Sequence, residues 1–218
     1  MALKNNRADN NFITILADGT MRVSVPEFTE GAVTREYETS DGKTGTKHEM
    51  VYTELSGMIT KVAFFDGAYG KLLQLTVEDE GEDPIILSVG TETNFGEDLM
   101  KKLPKIDMTL PVRIAPYSLT TEKGKLKKGV SVYQTPDVIN GEIKLSNYFY
   151  DEETKKNLYG YPDIPAGHGK KPVSKDQWKM YFMEARIFLM EFITKKFNLD
   201  DEQPSDEVTG KGMDQKDF

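Results

Sequence analysis

The chain has no cysteine. Disulfides, thiolate nucleophiles and cysteine-based zinc sites are thereby excluded. Histidine is nearly as scarce. The two residues, His48 and His168, stand far apart and have no partner at metal-ligand spacing. No apolar run is long enough to cross a bilayer, and the opening MALKNNRADNN lacks the apolar core of a secretion signal. These absences predict a protein that stays in the cytoplasm of the cell that makes it. Enzyme signatures are missing too: there is no G-x-x-x-x-G-K-[ST], no G-x-G-x-x-G after a strand and no G-x-S-x-G. The densest acidic cluster, Glu78, Asp79, Glu80, Glu82 and Asp83, reads as a solvated turn. Neither an enzyme nor a cofactor or metal is expected.

What the chain does have is charge of uneven distribution. Over 218 residues the net charge is −8, which taken as an average argues against a nucleic-acid partner. From Leu199 to Phe218, however, seven acids face two lysines, so this segment carries five of the eight net negative charges. Between Lys101 and Lys128 the balance is reversed, with eight cations against Asp107 and Glu122. A phosphate-binding surface needs local charge, not a basic average.

The local pattern is rich in strands. Residues 12–25 read as a hairpin around Asp18-Gly19, and residues 33–55 as a longer one around SDGKTG. The second run continues without a turn into LSGMITKVAFF, where Gly57 signals a bulge or bend. Strands follow at 71–79 and 84–92. A short helix at 95–103 is capped by Asn94, and further strands occupy 108–119 and 126–134. Strand, strand, strand, helix, strand, strand is the order of the OB-fold, a five-stranded Greek-key barrel. The expected fold is therefore mainly β: an OB-fold barrel over 51–135, with N-terminal β-hairpin extensions over 1–50. Residues 136–198 hold a hairpin around Asp151–Lys156, a Pro/Gly-rich connector and a long amphipathic helix at 174–197 capped by Ser174. Its stripe of Trp178, Phe182, Ala185, Phe188, Leu189, Phe192, Ile193 and Phe197 is expected to pack on the barrel. Residues 199–218 are expected to be disordered.

An OB-fold binds through its second and third strands and the loops joining strands one to two and four to five. Single-strand binding needs cations for phosphates and aromatic faces for bases. The first loop offers Phe65 and Tyr69, followed by Lys71. The second carries Lys123 and Lys125, with Lys127 and Lys128 just beyond. Arg113, Tyr117 and Tyr133 alternate with apolar residues on their strands and so belong to the outward face. Each has a plain structural alternative: Phe65 can close a barrel end, the tyrosines can be covered by another element, and the lysines can be an ordinary solvated loop.

This pattern, with the tail DDEQPSDEVTGKGMDQKDF, resembles the single-stranded DNA-binding proteins of bacteriophages. Those proteins pair one OB-fold with an acidic C-terminal tail ending in an aromatic residue. The resemblance is architectural and covers the barrel and the tail. It implies sequence-independent binding of single-stranded DNA in replication, recombination or repair, in a host cytoplasm. It also implies that the tail, through Asp214, Asp217 and Phe218, competes with DNA and recruits replication proteins such as a polymerase or helicase. An oligomer is compatible with it. Two other readings stay open: a protein-interaction or structural module without nucleic-acid binding, and an RNA-binding protein using the same surface.

Overall fold

A computed structural model describes residues 11–39, 42–136, 141–166 and 172–199. Twelve strands and two α-helices occur in it. In chain order they are β1 (Asn11–Ile15), β2 (Met21–Ser24), β3 (Val33–Glu38), β4 (Thr44–Tyr52), β5 (Leu55–Gly67), β6 (Gly70–Glu78) and β7 (Ile85–Gly90). Then come α1 (Asn94–Lys102), β8 (Val112–Thr120), β9 (Leu126–Gln134), β10 (Ile143–Lys144), β11 (Tyr150–Asp151), β12 (Lys156–Asn157) and α2 (Lys175–Phe197). The Asp18-Gly19 turn, the bulge in β5 and the long capped helix all appear where the residues predict them. Two local expectations are corrected. Thr93, not Asn94, caps α1, its side chain accepting from the Gly96 N–H. The second strand of the 33–55 hairpin does not run into β5, because the strand breaks at Thr53 and Glu54.

The protein is mainly β, but the sheet is not the five-stranded barrel expected. Ten strands lie in the order β10-β9-β8-β5-β6-β7-β1-β2-β4-β3, and the sheet does not close on itself. Its middle keeps the expected partners: β8, β5, β6 and β7 neighbour one another and β9 follows β8. Both edges that closure would use are occupied. On β7, the edge is taken by β1, which pairs in parallel from Asn11↔Ile85 to Thr14↔Ser88. On β9, α1 takes it: the Val130 N–H donates to Asp98 at 2.7 Å, and Lys102 Nζ donates to the Val130 carbonyl. Val130 and its partner Pro116 are a non-hydrogen-bonded pair, so both backbone groups of Val130 face away from β8. Thus β1 to β4 are part of the sheet itself, not appendages to it.

Two glycines set the curvature. Gly57 has φ +148°, and a Cβ there would stand 2.6 Å from the Glu78 carbonyl oxygen, so β5 bends tightly against β6. The β5–β6 register then shifts between Ile59 and Lys61. Gly19, at φ +84°, sits in the β1–β2 turn, where a Cβ would lie 2.8 Å from the Ser118 backbone nitrogen. That turn is therefore seated on β8, and it brings the two halves of the curled sheet together without a hydrogen-bonded seam.

The core lies between the concave face of the sheet and α1. It includes Ile13, Ile15, Met21, Leu73, Leu75, Leu87, Leu99, Ile114 and Val132. α2 packs chiefly on α1, with Phe64 of β5 and Lys71 of β6 also lying along it. Its buried residues Ala185, Leu189 and Ile193 face α1, where contacts are densest, and an aromatic cluster. In that cluster Phe149 meets Tyr161, Phe188 and Phe192, with centroids 5.6, 5.5 and 4.9 Å away.

Candidate nucleic-acid interface

Strand register places the candidate residues in three groups. At the β5–β6 tip, Phe65 and Tyr69 are 47% and 57% exposed. Val62 turns inward from the same strand, and Phe65 shares the outward face with its partner Leu72. Lys71 is exposed and lies 3.5 Å from Asp66. Its carbonyl accepts from both the N–H and the hydroxyl of Thr91, at 3.0 and 2.9 Å. The tip is thus tied to the end of β7.

The second group is the β8–β9 hairpin. Its turn is closed by Thr121 N–H donating to the Lys125 carbonyl at 2.9 Å and Gly124 N–H donating to the Thr121 carbonyl at 2.8 Å. Lys123, Lys125 and Lys127 are exposed and Lys128 is half-exposed. Among the described residues, none of the four has a carboxylate within ion-pair distance. The other cations of this basic stretch are engaged. Lys101 pairs with Glu97, Lys102 with Asp98 at 2.7 Å, and Lys105 donates to the Ser146 hydroxyl at 2.6 Å. Among the described residues, the cations of this stretch without a carboxylate partner are therefore Lys105 and the four hairpin lysines. Tyr117 lies at its base, half-buried, with Gly129 as its strand partner. Burial, helped by the nearby Asp98 carboxylate, pushes its hydroxyl pKa up from the ordinary value.

The third group is closed. Arg113 and Tyr133 are strand partners at the far end of β8, and the guanidinium covers the ring at 4.2 Å. Glu54 holds Arg113 at 3.0 Å and Glu142 holds it through two further hydrogen bonds. These carboxylates raise the guanidinium pKa above its usual value. Arg113 and Tyr133 were expected on the binding face, but both are already occupied within the chain.

The β1–β2 turn stands between the first two groups. Leu72 pairs with Gly90, and Thr14 pairs with Ser88 one strand further on. The β1–β2 turn therefore lies level with the β5–β6 tip, and the same turn rests on Tyr117 and Ser118.

Between the tip and β4 a row of side chains crosses the outer face: Ala63, Gln74, Ser88, Thr14, Arg22 and Val51 are successive strand partners. It ends beside a basic cluster that sequence reasoning missed. Glu49 accepts from Arg22 at 3.1 Å and from Arg35 at 3.2 Å, and Lys47 stands over the Tyr37 ring at 4.9 Å. Burial raises the pKa of Glu49, but the Arg35 and Arg22 hydrogen bonds outweigh it and leave the carboxyl below its ordinary value. Arg22 and Arg35 share one buried carboxylate there, and Lys47 is the strand partner of Arg35. The alternation of Arg35 with Tyr37 in VTREYE was the available signal.

Among the described residues no group of histidine, aspartate and glutamate is arranged to hold a metal, and no helix is long and apolar enough to cross a membrane. Asp214, Asp217 and Phe218 lie outside the described residues, as does His168. No family model, curated protein or solved structure matches the chain.

Proposed function

We propose that this protein binds single-stranded DNA without sequence preference, through an OB-like unit spanning β5 to β9, and acts in replication, recombination or repair. The observation that carries this reading is the exposure of the Phe65 and Tyr69 rings on one hairpin together with, on a second hairpin linked to it by the β1–β2 turn, four lysines that have no carboxylate partner among the described residues. Rings accept the faces of unstacked bases, and exposed lysines on a hydrogen-bonded hairpin meet phosphates. The polar row across β6, β7, β1 and β2 continues the path towards Arg22, Arg35 and Lys47. Duplex DNA hides its base faces, so it offers the rings nothing.

The acidic segment 200–218 starts just beyond α2 and carries seven acids against two lysines. Tethered to a basic surface, it competes with DNA at high effective concentration. A chain truncated after Leu199 then binds DNA more tightly.

The deciding experiment is fluorescence anisotropy with oligo-dT, oligo-U and a duplex of equal length, at two salt concentrations. Tight, salt-sensitive binding to oligo-dT with weak duplex binding supports the proposal. Equal affinity for single strand and duplex ends it, and preference for oligo-U moves the assignment to RNA. Binding to none of the three favours an interaction module, a reading that draws on the exposed apolar residues of α2.

A further inference from the structure

α2 is apolar on two sides. One side holds Ala185, Leu189 and Ile193 and is buried. On the other, Met180, Met183 and Ile187 are 57%, 51% and 44% exposed, and the partly buried Met190 continues the line. A helix with apolar residues on both sides calls for a second packing partner. The outer line advances by three, four and three residues, and Asp176 and Thr194 extend the same rhythm with polar ends. Alternating steps of three and four average 3.5, the period of a two-helix seam. In that frame Met180 and Ile187 occupy a positions and Met183 and Met190 occupy d positions. A β-branched residue at a favours two strands.

The flanking charges choose the occupant and its direction. Lys179 and Arg186 precede the two a positions, and Glu184 and Glu191 follow the two d positions. In a parallel pair of identical helices, each residue before a faces the residue after d one step along the partner. Lys179 then meets the partner's Glu184, and Arg186 meets the partner's Glu191, twice over by symmetry. In an antiparallel pair the bases would face bases and the acids acids. Arg186 is already held by Glu92 at 2.9 Å, which limits the freedom it has left to lose. A groove of about 390 Å³ lies beside Ile187 and Met190, walled by Phe64 and Lys71, and leaves room for partner side chains. Because α2 is already ordered by its inner face, pairing has no helix to nucleate. The geometry points to a homodimer in which the α2 helices of two copies lie parallel along Met180, Met183, Ile187 and Met190. This seam stands whatever the sheet binds.

Sedimentation equilibrium of the full chain over a dilution series tests the pairing. A reversible dimer is expected, and Ile187→Glu weakens it by about 100-fold or more, since it buries an unpaired charge. A circular dichroism spectrum matching that of the parent will show that the exposed position leaves the fold intact. The double variants K179E/R186E and E184K/E191K, each self-repelling, stay monomeric alone and dimerise when mixed. A chain monomeric at every concentration overturns the proposal, as does a dimer that survives Ile187→Glu. Charge variants that fail to combine on mixing overturn the parallel direction.

Discussion

The guanidinium of Arg113 lies 4.2 Å from the centre of the Tyr133 ring, clamped by Glu54 and Glu142. A cation already stacked and doubly neutralised has little attraction left for a phosphate. Replacing Arg113 with alanine will therefore lower the melting temperature while leaving oligo-dT affinity unchanged. An affinity loss matching that of the hairpin lysines would show that the clamp opens when DNA binds.

Phe65 and Tyr69 present the opposite case, since both are exposed at the β5–β6 tip. Phe65→Ala and Tyr69→Ala will each cost about 1–3 kcal/mol of oligo-dT binding, roughly 5- to 150-fold, with no loss of stability. Anisotropy titration alongside a thermal melt separates the two effects.

The hairpin lysines should be visible in salt dependence rather than in base preference. Each phosphate contact contributes about 0.7 to the slope of log K against log salt on single strands. Replacing Lys123, Lys125 and Lys127 together with alanine will flatten that slope by about 2. Titrations at four salt concentrations give the number directly.

Asp98 and Lys102 should behave as structural residues in spite of their charge. Asp98→Ala leaves the Val130 N–H without its acceptor and takes the carboxylate from Lys102, which keeps only the Val130 carbonyl. A loss of about 1–3 kcal/mol in denaturant titration is expected, with oligo-dT affinity retained by the folded fraction.

Glu49 gives the sheet an acid sensitivity. Its folded pKa lies below the ordinary 4.5, so its contribution to stability is complete above that value and fades as pH falls through the folded one. Glu49→Gln will be less stable than the parent at neutral pH, and its stability will fall less steeply on acidification. Melts between neutral and acidic pH will show two curves that converge at the acid end.

Local signals were legible in the residues. Asp18-Gly19 marks its turn, Ser174 and Gln177 form the capping box of α2, and Gly57 marks the bend in β5. The order of β5 to β9 around α1 was legible for the same reason, since alternation and turn chemistry act between near neighbours. What stayed hidden depends on distant partners. Nothing near Asn11 shows that it pairs with Ile85, and Arg113 meets Glu54 and Glu142 at separations of 59 and 29 residues. Local signals therefore predict a closed barrel where the sheet is open, and a ligand-binding role for Arg113 where it is clamped. On α2 the aromatic stripe masked the methionine line, because apolar residues on both sides blur the period that betrays either one.

The parallel seat of β1 beside β7 also bears on synthesis. Residues 11–14 leave the ribosome long before residues 85–88 exist to receive them. Until then the β1–β2 hairpin has no neighbour on that side, and its bare edge is open to any other nascent chain. Crowded translation of this protein should therefore favour exchange of the N-terminal hairpin between molecules, and slowing elongation after Gly90 should suppress it.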